Sequence, residues 1–255
     1  MVDPFESSRR KLGRAKEHIS DLERKINSFV ESRPYARVAE VDPRQPNCVV
    51  FKLKLTRDLP DELALITSDA IDNLRAVLDH ACYTVAISSG NATAKEAYFP
   101  FAGTVERFEN ALRGRCKDIP QDIYPLLRGF KPYKGGNDLL YTLNTICVTG
   151  KHKMLISVGH TVIRDRTRFN AATGYMRMPQ STWDGANNEI VIAAVGIGTQ
   201  FEYDVDFQFF VTFNEVEGID GQEVLRVLNA LASEVERVLL ALEAETRRLF
   251  PDAFN

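Results

Sequence analysis

No run approaching the eighteen or so apolar residues that a bilayer-spanning helix needs occurs in the 255-residue sequence, which argues against an integral α-helical membrane protein. Met1–Arg14 is polar and charged and holds no apolar segment, so it does not read as a secretory leader. Cysteine is scarce. Cys48, Cys82, Cys116 and Cys147 stand more than thirty residues apart and form no CxxC pair, which argues against a structural zinc site. Without a sign of export the four thiols are expected to be reduced, in a cytoplasmic protein. The familiar catalytic signatures are missing as well. Gly196-Ile197-Gly198 lacks the third glycine and following helix of a phosphate loop, and neither HExxH nor GxSxG occurs. The four histidines are scattered, and His152 with His160 lacks neighbouring carboxylates, so neither a metal nor a cofactor is expected.

What is present is ordinary globular chemistry, with 44% hydrophobic and 26% charged residues. The net charge of −3 hides an asymmetry. Between Phe101 and Asn170 twelve Lys/Arg face six Asp/Glu, a local +6 that an anionic partner would meet.

Leu12, Ala15, Ile19, Leu22, Ile26 and Phe29 recur in steps of three and four, the stripe of an amphipathic helix that Arg33-Pro34 stops. Arg37–Val41 and Cys48–Thr56 flank a turn-rich stretch and predict a hairpin, with Val49, Phe51, Leu53 and Leu55 on its buried face. Pro60 opens a helix over Asp61–Ser88, which Gly90 ends. An irregular stretch, Asn91–Phe101, precedes shorter helices at Val105–Arg113, Gln121–Arg128 and Asn137–Val148. Strands follow at Met154–Arg168, Glu189–Ile197 and Phe201–Phe213, with Asn170–Ala186 expected as a loop or hairpin tip. A long helix, Gln222–Phe250, closes the chain. This order predicts one α+β domain over 1–255, an antiparallel sheet of about five strands with helices packed on one side. The two long terminal helices can pack together or supply the seam of a homodimer.

The most chemically loaded segment is Asp61–Ser88, which carries Asn73, Arg75, Asp79 and His80. Arg75 and His80 lie five positions apart, about 140° around a regular helix, and do not share a face. Arg75 and Asp79 do, as an ion pair at i and i+4, and His80 shares its face with Asn73. Asn73, Asp79 and His18 are therefore read as supporting groups, and Arg75 with His80 as the catalytic candidates. Lys151, His152 and Lys153, with Asn144 six residues before Gly150, form a cationic corner suited to an anion. Arg164, Arg166 and Arg168 alternate on a strand and would make a second cationic face.

Several blocks together resemble a widespread group of bacterial proteins of about this length whose function is not established. They are Arg14-Ala15-Lys16-Glu17-His18, Asp58-Leu59-Pro60, Asn73-Leu74-Arg75-Ala76-Val77-Leu78-Asp79-His80, Phe99-Pro100-Phe101 and Leu143-Asn144 through Lys151-His152-Lys153. The resemblance spans about Arg14–Leu155. In that group the last block usually reads Asp-Lys-His-Arg, where Gly150 and Lys153 stand here. More distantly, Arg75-x4-His80 resembles the Arg-x4–6-His motif of HEPN-type ribonucleases, which are all-helical and carry a polar residue where Ala76 stands. That resemblance implies a metal-independent site shared by two protomers, in which Arg75 stabilises the phosphorane-like charge and His80 moves a proton. Two functions follow: a non-catalytic binding module with a basic middle, or such a ribonuclease. The expected partner is a nucleic acid or another anionic ligand, with no membrane association.

Overall fold

Apolar stripes set the positions of the long helices, and hairpins set the sheet. The computed structural model describes residues 3–153, 158–178, 183–214, 216 and 218–254, of which 149–153, 158–173 and 200–207 are described through their backbone alone. The chain runs α1 (Glu6–Glu31), β1 (Tyr35–Asp42), β2 (Gln45–Leu55), α2 (Glu62–Ser88), α3 (Val105–Arg113), α4 (Tyr124–Phe130) and α5 (Asp138–Lys153). It continues through β3 (Val158–Thr173), β4 (Met176–Arg177), β5 (Glu189–Gly196) and β6 (Gln200–Phe213) to α6 (Val224–Leu249). Short 3-10 turns lie at Gln121–Ile123 and Pro251–Phe254.

The fold is α+β, with helices packed on an antiparallel sheet. All six stripe residues of α1 are buried, and the five from Leu12 to Ile26 belong to the core that α1 shares with α2 and α6. α2 is apolar around most of its circumference, with Leu63, Ile71, Leu74, Val77, Leu78, Ala81 and Cys82 at 0% exposure. A helix of that kind belongs in the centre of a core. Each fully buried leucine, isoleucine or valine contributes about 1.5–3 kcal/mol. α6 completes the layer, tied to α1 by Lys16–Glu236 at 2.9 Å and Arg9–Glu243 at 2.5 Å. The stripes of α1 and α6 are thus buried within the chain, as terminal helices that pack together require. Among the described residues no helix is long and apolar enough to cross a membrane.

The strands expected to form one sheet divide into two. One has the order β1-β2-β5-β4, and β3 pairs with β6 in a separate antiparallel ribbon. β3 continues to Thr173 and β4 pairs with β5, so the expected loop Asn170–Ala186 opens with strand residues, and its positions 179–182 lie outside the described residues. The β3–β6 register steps between Arg164 and Arg166, leaving Asp165 without a counterpart and interrupting the expected arginine alternation. A second step leaves Ile192 as the extra residue between the pairs Phe51–Ala193 and Lys52–Val191. Bulges of this kind increase local twist, and burial along β2 changes parity there. Cys48 and Val50 are buried before the step and Leu53 and Leu55 after it, whereas Val49 and Phe51 are only half-buried. Phe209 of β6 joins the layers, packing on Phe29 of α1 with centroids 5.7 Å apart and against the Leu53, Ile190, Ile192 and Ala193 cluster.

Candidate functional site

The α2 geometry divides the loaded cluster in two. Asn73 and His80 face α1, where Asn73 Oδ1 accepts from Lys11 Nζ at 3.2 Å and His80 Nδ1 lies 2.8 Å from Ser7 Oγ. Seven residues on α2 thereby meet residues four apart on α1. Arg75 points elsewhere. It donates through Nη1 to Asn144 Oδ1 on α5, lies 4.6 Å over the Phe101 ring and has Nε 4.0 Å from Asp79 Oδ2. Its side chain is 12% exposed. Asp79 turns its other oxygen to the backbone N–H of Phe99 at 3.0 Å. Arg75 and Asp79 therefore fasten α2 to α5 and to the Phe99–Phe101 segment. Asp72, on the same helix, accepts from the Cys147 thiol at 3.2 Å.

His80 instead lines an open cleft of about 710 Å³, with Pro4 and Ser7 around the start of α1, Asp79, Tyr83, Thr84 and Ile87 on α2, and the segment from Ala94 to Tyr98 opposite. That volume suits a small organic ligand. Tyr83 and Tyr98 are 46% and 44% exposed, so two aromatic faces are open to an occupant. Lys95 supplies a cation, and the Arg115 guanidinium lies 5.8 Å over the Tyr98 ring, bringing the basic middle segment to the cleft edge. The facing wall lacks regular structure but is well anchored. Asp118 Oδ2 accepts from the amides of Lys95 at 2.7 Å and Glu96 at 2.8 Å, and Tyr98 N–H donates to Arg115 O at 3.0 Å. The Glu96 and Lys95 amides hold the Asp118 carboxyl below the usual carboxylate range. Behind the wall, burial pushes the Cys116 thiol up to about 12 while its Sγ rests 3.1 Å from Tyr98 O. That thiol is inert, as are thiols generally when buried and protonated. All four cysteines are buried, and none is in a disulfide.

The remaining sequence candidates disperse. His18 is half-buried beside the α1 stripe and does not line the cleft. Asn144, expected to bind an anion, is engaged by Arg75. Lys151, His152 and Lys153 form the last turn of α5, which runs past Gly150 instead of ending near Val148; their side chains lie outside the described residues, as does that of His160. Among the described residues, no group of three or more His, Cys, Asp or Glu could hold a metal ion. A second cleft of about 500 Å³ lies between α5, α6 and the turn at Gly218, with Lys134, Tyr141 and Arg226 in its lining. Sequence reasoning missed Ser7, Tyr83, Lys95 and Tyr98, each of which becomes notable only when α1, α2 and the irregular segment meet.

No family model, curated protein or solved structure matches the chain.

Proposed function

We propose that the protein is a binding module that takes a small anionic ligand with an aromatic or apolar body into the cleft at His80. The observation that carries the reading is the lining itself: two half-exposed tyrosines, an imidazole and a lysine around about 710 Å³ of open space, with the lining carboxylate of Asp79 engaged by the Phe99 amide and Arg75. Tyrosine faces and Ile87 supply apolar contact, while Lys95 and the nearby Arg115 supply the charge that attracts an anion. We take the protein to act in the cytoplasm, where free buried thiols stay reduced.

The ribonuclease alternative asks Arg75 to meet a phosphorane beside His80. Arg75 already serves Asn144, Asp79 and the Phe101 face, and it is absent from the lining of the cleft. A catalytic arginine would first have to give up those contacts, so the binding reading is favoured.

The test is a calorimetric titration with 2-naphthalenesulfonate, an aromatic anion matched to the lining. Saturable one-to-one binding is expected, weakened by salt and by Tyr98→Ala or Lys95→Glu. Binding that ignores both substitutions, or none at millimolar sulfonate, would contradict the reading. Metal-independent cleavage of single-stranded RNA that Arg75→Ala abolishes without altering unfolding would favour the ribonuclease instead.

A further inference from the structure

Ser7 and His80 are 73 positions apart in sequence, yet their Oγ and Nδ1 atoms lie 2.8 Å apart within the lining of the cleft. Ser7 is the second residue of α1 and is exposed. The start of that helix leaves backbone donors unpaired, as helix starts do. Phe5 occupies the N-cap position and no side chain caps the turn. The Glu6 amide donates to Asp3 O and the Arg9 amide to Phe5 O, but among the described residues neither the Ser7 nor the Ser8 amide has an acceptor. Ser8 is fully buried and does not line the cleft, so the Ser7 amide, on the hydroxyl-bearing residue itself, is the backbone donor placed to meet the oxyanion of an acylated serine. A nucleophile, a base within hydrogen-bond reach and one unclaimed backbone donor thus adjoin a cleft of ligand size.

We propose that Ser7 and His80 form a catalytic dyad that hydrolyses carboxylic esters bound in this cleft. The inference uses the cleft assigned above but a different chemistry, since a ligand can bind there without reacting. With Nδ1 unprotonated, the Ser7 hydroxyl donates to it, and Oγ attacks the ester carbonyl carbon as the proton passes to Nδ1. The tetrahedral oxyanion is met by the Ser7 amide. Collapse breaks the carbon–alkoxy bond, the imidazolium returns its proton to the departing alcohol, and an acyl-Ser7 ester remains. Water then adds to that ester with His80 taking its proton, and the carboxylic acid departs as Ser7 Oγ recovers the proton. No oxidant, reductant or metal is consumed. Among the described residues no carboxylate meets the His80 ring, so the imidazolium lacks the support that a triad provides and turnover is slow. Tyr83, Ile87 and Tyr98 favour an aromatic or apolar acyl group.

Incubation of the full chain with an alkyl fluorophosphonate, followed by intact-mass and peptide analysis, tests the dyad. The expected result is a single adduct on Ser7, absent from Ser7→Ala and formed on the order of a hundredfold or more slowly in His80→Gln. Glutamine can still accept the serine hydrogen bond but is no base, so a merely structural His80 would leave the labelling rate unchanged. Circular dichroism of both variants establishes that they fold; if His80→Gln does not, slow p-nitrophenyl butyrate hydrolysis by wild type, lost in Ser7→Ala, carries the test. No adduct and no hydrolysis, an adduct elsewhere, or equal rates in folded His80→Gln would overturn the proposal. Sulfonate binding without an adduct overturns the dyad and leaves the binding reading standing; an adduct without sulfonate binding does the reverse.

Discussion

Replacing Arg75 by alanine removes three contacts at once: the charged hydrogen bond to Asn144, the stack over Phe101 at 4.6 Å and the partner 4.0 Å from Asp79. A hydrogen bond to a charged group is worth about 1.5–3 kcal/mol, the cation over an aromatic face about 0.5–2, and an ion pair at i and i+4 a few tenths. At 12% exposure the guanidinium is little screened by water, but the three contributions share one side chain and do not add fully. A net loss of about 3 kcal/mol is expected, which in a chain of this size lowers the melting temperature by roughly 6–12 °C. Arg75→Lys keeps the charge but loses the planar fork and stack, and should recover less than half of that. Urea unfolding followed by circular dichroism measures both. A change below about 1 kcal/mol for Arg75→Ala would refute the argument, because it would leave the arginine with no structural role to set against a catalytic one.

Three further outcomes follow from the same packing. Ser8 is fully buried and its hydroxyl has no hydrogen-bond partner among the described residues, so Ser8→Ala should stabilise by about 1 kcal/mol, raising the melting temperature in a scanning experiment. A Cβ on Gly136 would fall 2.5 Å from Lys131 O and 2.8 Å from the Tyr133 ring, so Gly136→Ala should cost about 1–3 kcal/mol in urea unfolding. Asp118 is held below its usual pKa by the Glu96 and Lys95 amides, so its contribution is present above the ordinary carboxylate range and is lost as pH falls through the lowered value. Protection of the Lys95 and Glu96 amides, relative to their intrinsic exchange rates, should therefore fall as pH drops below the ordinary carboxylate range, and Asp118→Asn should show that lost protection already at neutral pH.

Local periodicity made the long elements readable. The α1 stripe, the helix ending before Gly90 and the Phe201–Phe213 alternation all follow from patterns that repeat along the chain. Gly90 has φ of 94° and its amide returns to Ile87 O, a helix end that glycine adopts without steric cost. The β2 faces were misjudged because the extra residue that shifts them, Ile192, lies on another strand. Similarly, the irregular wall is held by Asp118 and Asp79, one beyond α3 and one on α2, and no local pattern announces either partnership. The division of Arg75 from His80 was legible, since helical angles alone separate them. The convergence of His80 with Ser7 was not. It depends on how α1 docks along α2, and a serine in a helical first turn carries no signal of its own.

The central claim is that function resides in the cleft at His80 and that Arg75 stands behind it as part of the frame. Backbone amide shifts of labelled protein during titration with 2-naphthalenesulfonate test this most directly. Saturable changes concentrated at Ser7, His80, Tyr83, Lys95 and Tyr98, with Asn144 and the far end of α5 unmoved, are the predicted result. Changes centred on Arg75 and Asn144, or at the Lys134 and Arg226 cleft instead, would contradict it.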